Sequence, residues 1–371
     1  MKTMATALLT CLLGLFASLD ASPAAAKSLF PLQVAIEVPF APAAFHSAGA
    51  THLVYELYLT NFSPSPVTIK RIEALDADAP ASAVLALEGD ALGDAFAPVG
   101  SQAKPSAVQL APGSTAIIYL WASLKDGMRV PARLSHRVST DEDDTVEGAV
   151  IAVQRDLPVL GPPVRGQGWL ASDGPSNARD NHHRRGVLVL DGKPVDSRRY
   201  AIDWMLTRNG QTLTGDNGVR ESYFAFGQPV YAVADGIVAH AKDGQPDNTP
   251  ALPASFHPAL PITMDTVAGN NIVLDLGHDH YAYYFHLHPG SLLVKAGDHV
   301  RRGQLIGRIG CSGDATVPHL HFEVTTSPKL IAGDGVAYAI DGYRVQIGDG
   351  WDARKKELPL DKMVVDFGPE R

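Results

Sequence analysis

The chain has 371 residues, 45% of them hydrophobic and 19% charged, with a formal net charge of -9 at pH 7. That length allows two domains of ordinary size, and the composition can bury a sizeable core. The negative balance argues against a nucleic-acid partner, while a neutral or cationic polymer stays open as a substrate.

Residues 1–26 read as a signal peptide. Lys2 supplies the positive start, Ala5 to Leu19 is mostly apolar, and Pro23-Ala-Ala-Ala26 offers a small-residue cleavage site. The apolar run is shorter than a spanning helix needs. No later segment is long and apolar enough to span a membrane, so no transmembrane segment is expected after signal removal. Cys11 would leave with the signal, and Cys311 alone permits no intrachain disulfide. An exported chain without disulfides fits the periplasm or the exterior of a bacterial envelope.

Residues 27–156 read as an all-β domain. Val34–Val38, His52–Leu59, Pro66–Ile69, Ala116–Trp121 and Gly148–Val153 are short, rich in β-branched and aromatic residues, and bounded by turn formers. Strands in this rhythm predict a β-sandwich of immunoglobulin type. His46, His52 and His136 stand singly and read as surface or core histidines. Residues 157–175, with Pro158, Gly161, Pro162, Pro163 and Gly166, read as a linker. Residues 176–350 read as a second strand-rich domain, and 351–371 as a charged tail without an assigned role.

Within the second domain, Gly227 to Val238 reads as two short strands around an Asp235-Gly236 turn. Asn271–Leu276 and Tyr281–Leu287 read as a hairpin, which makes His278 and His280 turn residues. Between Lys242 and Ala268 runs a long proline-rich segment, and unstructured loops of that length are commonly functional.

Three His-x-His pairs occur, at 278/280, 286/288 and 319/321. Spacing by two places both rings on one strand face, about 6.6 Å apart. In such a pair the second histidine can hold a metal while the first stands beside it. Asp203 ends the apolar phrase Tyr200-Ala-Ile-Asp203, where a lone carboxylate is costly unless paired or bound to a cation. Two imidazoles and a carboxylate suit a catalytic Zn²⁺, with the fourth position left for water.

These phrases resemble the lysostaphin-like (LytM-type) zinc endopeptidases of bacterial cell walls. The likeness runs from about Asn181 to Val324. It rests on Ala201-Ile-Asp203, Gly227–Val238, Tyr284-Phe-His-Leu287, Val294–Gly307 and His319-Leu-His-Phe-Glu323. The resemblance implies an antiparallel β-sheet peptidase domain with one Zn²⁺ per chain. Asp203 and His321 would be ligands. His286 and His319 would be catalytic neighbours that orient or deprotonate the zinc-bound water and stabilise the oxyanion. A neutral imidazole suits the base role near neutral pH.

The chain departs from the family at one ligand. The usual first ligand is a histidine four residues before the aspartate, and Arg199 stands there. Arginine has no acceptor and stays charged. His182 and His183 are the nearest replacements, and His183 is the expected third ligand. Val187–Val195 reads as a hairpin insertion that returns it to Asp203; otherwise both are surface histidines and the third ligand is missing. Cys311, Glu323 and Asn271 are expected to be structural.

The implied function is a zinc-dependent endopeptidase acting on peptidoglycan stem peptides or cross-bridges, with the proline-rich loop walling its groove. The alternative is a non-catalytic relative that binds and regulates other cell-wall hydrolases. The N-terminal domain would target the enzyme to its polymer or occlude the groove. The sequence sets no oligomeric state.

Overall fold

The computed structural model describes residues 31–369, apart from 82, 102–105 and 142–143. The signal peptide expected at residues 1–26 lies outside the described residues.

The N-terminal part consists of two antiparallel sheets of five strands each. The first is built on Ala50–Asn61, which pairs along its length with Thr115–Lys125. The second is built on Val67–Asp76 and Arg133–Thr140. Strand alternation sends Leu53, Tyr55, Leu57 and Leu59 of the first sheet inward. There they meet Ile72, Leu134 and Val138 of the second in one buried cluster. This is a two-layer sandwich. Each predicted strand of this part is present. Ala83–Glu88, Arg133–Thr140 and the short helix Gly89–Ala95 lie beyond the sequence expectation.

His136 sits in this core with no exposed surface, its Nε2 2.9 Å from Tyr55 Oη and its Nδ1 3.1 Å from Ala149 O. Burial pushes its pKa down from 6.5 to about 4. The unfolded chain therefore takes up a proton, as pH falls below 6.5, that the folded chain refuses until about pH 4. Stability from this residue is complete above that window. It falls by about 3 kcal/mol across it. Urea midpoints followed from pH 7 to 4 should fall, and should fall less in His136→Asn. An equal fall in the variant would assign the effect elsewhere.

The C-terminal part is one ten-stranded antiparallel sheet with smaller pairs around it. Its order is His299–Val300, Gly236–Lys242, Asn270–Gly277, His280–Leu287, Leu320–Thr325, Ile202–Leu206, Gln167–Ser172, Val364–Asp366, Tyr343–Ile347 and Gly350–Arg354. The described residues are thus all-β apart from the short helix Gly89–Ala95 and isolated 3-10 turns. The Asn271–Leu287 hairpin forms as expected, and His278 and Asp279 adopt the left-handed backbone of its turn, at φ 53° and 56°, whereas His280, expected in the turn, opens the returning strand His280–Leu287.

Three expectations are corrected. Residues 167–172, read as linker, are a strand at the centre of the sheet. Residues 351–371, read as a tail, contribute to Gly350–Arg354 and supply Val364–Asp366, both in the same sheet. The two strands within Gly227–Val238 do not pair with each other. Pro229–Tyr231 pairs with Leu305–Arg308, and Gly236–Lys242 pairs with Asn270–Gly277.

The two parts share buried contacts. Phe45 and Val54 of the sandwich belong to the same apolar cluster as Trp204 and Phe322 of the large sheet and Tyr200 just before the strand Ile202–Leu206. Phe45 meets the Tyr200 ring edge-on at 5.7 Å, and Tyr200 Oη donates to Val54 O at 2.9 Å.

Candidate metal centre

Three central strands set the site by parity. In Leu320–Thr325, Leu320, Phe322 and Val324 enter the core, which turns His321, Glu323 and Thr325 to the other face. In Ile202–Leu206, Ile202, Trp204 and Leu206 enter the core, which turns out Asp203. Register then aligns Ser172, Asp203, His321 and Phe285 as a row across four neighbouring strands. The His321 ring stacks on Phe285 at 5.2 Å and 11°.

His286 follows Phe285, so plain alternation would send it to the opposite face. Its backbone is left-handed, at φ 64°. That conformation disfavours a non-glycine residue, and such strain gathers at functional sites. It breaks the alternation, and both Phe285 and His286 line the same cleft.

Asp203 is the hub. Its Oδ1 lies 2.9 Å from His321 Nδ1, 3.6 Å from His183 Nε2 and 3.5 Å from His319 Nε2. Ligand atoms around a tetrahedral zinc at about 2.0 Å stand roughly 3.3 Å apart, and the distances from Asp203 Oδ1 to His183 and His321 are of that order; among the described residues, the ligand atoms of His182, His183 and Asp203 all lie within 4.8 Å of one another. His183 and His321 rings meet at 4.8 Å, and His286 and His319 rings at 4.8 Å.

Tautomers follow from the backbone. His183 Nδ1 donates to Asp173 O at 2.8 Å, His286 Nδ1 to Ser312 O at 2.9 Å and His319 Nδ1 to Val317 O at 2.8 Å. Each leaves Nε2 as the free acceptor. His321 is reversed: Nδ1 points to Asp203, and Nε2 faces Glu323 Oε2 at 3.4 Å. His321 Nε2 and both Glu323 oxygens are buried without a hydrogen-bond partner among the described residues. A cation on Nδ1 would fix the Nε2 proton toward that carboxylate, the usual support of a metal-bound histidine. The donor set thus fits a zinc ion.

Electrostatics agree. Burial opposes ionisation of Asp203, but His319, His183 and His321 hold its carboxyl well below the ordinary range. Burial pushes His183 down to about 3 and His286 well below its usual value, so both are neutral at pH 7. For His321 burial is outweighed by the Asp203 hydrogen bond and by Glu323, which raise it to about 10. Its ring lies between two carboxylates, and a divalent cation on Nδ1 would take the place of a proton there.

His182 and His183 are separated by exposure. Ring nitrogens of both lie within 4.8 Å of an Asp203 oxygen, so distance alone admits either. The His182 side chain is 57% exposed and turned to Asp173 Oδ1 at 3.4 Å, whereas that of His183 is 3% exposed and faces Asp203. The expected hairpin insertion is present as Leu188–Leu190 paired with Lys193–Val195. Arg199 lies away from the hub, its guanidinium bonded to Glu56.

Sequence reasoning assigned Glu323 only a structural part, although its position two residues beyond His321 places it on the ligand face. It also passed over Asp314, whose Oδ1 lies 3.6 Å from His286 Nε2. Cys311 is buried, and burial pushes its thiol up to about 12, which keeps it inert. Asn271 is buried and donates to Gly269 O at 2.7 Å, as a structural residue does.

The cleft has a volume of about 660 Å³. Pro253, Ile262, Thr263, Met264, Val267 and Ala268 of the proline-rich loop form one wall. Every lining residue falls between Ser172 and Ile331, so the sandwich contributes none among the described residues.

Residues 217–333 match the sequence profile of Peptidase family M23. That span holds His286, His319 and His321 and begins after His183 and Asp203. The chain is 36% identical over 138 residues to the peptidoglycan DD-endopeptidase ShyA of Vibrio cholerae, covering 34% of this chain and 26% of that protein. It is 28% identical over 116 residues to the glycyl-glycine endopeptidase ALE-1 of Staphylococcus capitis, covering 31% of this chain and 26% of that protein. The chain thus spans about a quarter of the length of these curated relatives. Among solved structures, the catalytic domain of lysostaphin from Staphylococcus simulans aligns with 44% of this chain and 80% of its own, at 23% identity and a TM-score of 0.21. Residues 217–333 of the chain are thus similar to Peptidase family M23.

Proposed function

We propose that the chain is a zinc-dependent endopeptidase that hydrolyses peptide bonds in the stem peptides or cross-bridges of peptidoglycan. The observation that carries this reading is the meeting of His183 Nε2, Asp203 Oδ1 and His321 Nδ1 beside His286 and His319 in one cleft. His183, Asp203 and His321 would hold one Zn²⁺ per chain. Zinc, when bound, supplies Lewis-acid activation of a water and of the scissile carbonyl.

The remaining work falls to the protein. His319 Nε2, an acceptor 3.5 Å from the hub oxygen, takes the proton that the attacking water loses. Once protonated it donates a hydrogen bond to the oxyanion that forms on the carbonyl, and it then passes that proton to the amine that leaves as the C–N bond breaks. His286, kept neutral by burial, orients the water through Nε2. Glu323 keeps the His321 ring turned with Nδ1 toward the ion. The apolar wall of the proline-rich loop excludes bulk water and holds the peptide extended.

Residues 27–156 are proposed as a separate sandwich domain that holds the enzyme near its polymer, and the chain as exported to the bacterial envelope. Among the described residues no helix is long and apolar enough to cross a membrane. No observation favours the non-catalytic alternative.

Digestion of purified peptidoglycan tests the reading. Mass spectrometry of the fragments should show new amino and carboxyl termini within the peptides and intact glycan strands. Stripping the metal with a chelator should abolish cleavage, and zinc should restore it. Cleavage undiminished by metal removal, or none by zinc-loaded protein, would contradict the reading.

A further inference from the structure

We infer that Glu56, on the N-terminal sandwich, is a positioning residue for the metal site, so that the sandwich completes the ligand set. The inference rests on His183 being a ligand.

Glu56 is buried in the strand Ala50–Asn61, a poor place for a carboxylate without strong partners. Its partners are two buried arginines from the other domain. Arg199 Nε donates to both carboxylate oxygens at 3.0 Å. Arg184 Nη1 bonds Oε1, and Arg184 Nη2 donates to Tyr55 O at 2.9 Å and Leu120 O at 3.3 Å. Asp334, 3.2 Å from Arg199, and Asp196, 3.7 Å from Arg184, are the other acids beside them.

Both arginines stand next to ligands. Arg184 directly follows His183, and Arg199 lies in the turn Ser197–Tyr200 that leads into the strand of Asp203. His183 itself is in a turn outside any strand, with no ladder to hold it. Its ring goes one way, to Asp203, while the next side chain goes the other way, into the sandwich. One carboxylate thereby ties the loop of one ligand to the approach of another. It also accounts for Arg199. At the place where the resemblance puts a ligand, this chain has an anchor, and the ligand comes from the turn that precedes the hairpin of residues 188–195.

The test is zinc affinity of the full chain by competition with a chromophoric chelator, together with the visible spectrum of the Co²⁺-loaded protein. Glu56→Gln should bind zinc about 10- to 100-fold more weakly, the effect typical of losing outer support at a metal site. Its Co²⁺ spectrum should move toward that of His183→Ala. Tyr200→Phe, which breaks the Val54 contact but not the arginine clamp, should bind zinc like the wild type. A folded Glu56→Gln with wild-type affinity and spectrum overturns the inference. If Glu56→Gln does not fold, Glu56→Asp decides. It keeps the charge but shortens the reach, and a folded variant with wild-type affinity is equally fatal. Retention of zinc by His183→Ala would instead sink the ligand assignment on which the inference rests.

Discussion

His183→Ala should lose zinc, while His182→Ala should keep it. Binding free energies of about 12 kcal/mol, shared by three protein ligands, place about 4 kcal/mol on each. Loss of one therefore weakens binding by about 10³-fold. His183 is the buried member, with its Nδ1 tied to Asp173 O and its Nε2 aimed at the hub. The exposed His182 is turned to Asp173 and lies beside the His183 ring, and its loss should change zinc affinity by no more than about twofold. Metal analysis after dialysis, followed by a competitive titration, separates the two. Equal losses in both variants would mean that the pair acts as a unit. Loss only in His182→Ala would reverse the assignment.

The second large effect concerns the neighbours of the ligands. His319→Ala and His286→Ala should retain zinc within a few-fold yet lower kcat by about 10²- to 10⁴-fold. Each ring lines the cleft with Nε2 free and Nδ1 bound to a backbone carbonyl. The double variant should be little worse than the poorer single one, since groups serving one proton transfer are not additive. Rates of fragment release from peptidoglycan, measured beside zinc content, check this. A variant that loses zinc and activity together would be a ligand rather than a catalytic neighbour.

Much of the site was legible because strand parity is a local property. Alternation in Leu320–Thr325 announces both a core face and a ligand face, and Ile202-Asp203-Trp204 does the same. The same rule applied two residues beyond His321 would have marked Glu323. What was not legible depends on partners far away in sequence. Glu56 and Arg199 are 143 residues apart, and neither position shows the other locally. The strands within Gly227–Val238 look like a hairpin, but each finds a partner elsewhere. Gly350–Arg354 is an edge strand with charged, exposed residues, which gives it the composition of a tail. The place of His183 was harder to read than that of Asp203 because a turn carries no periodic pattern, and the burial of His183 beside an exposed His182 comes only with the fold.

The account stands on where the metal binds. An anomalous difference map at the zinc absorption edge, from a crystal of the zinc-loaded protein, tests that claim most directly. It should show a single peak per chain, within about 2.0–2.2 Å of His183 Nε2, an Asp203 oxygen and His321 Nδ1. A peak at His182 in place of His183, or no peak among these side chains, would contradict it.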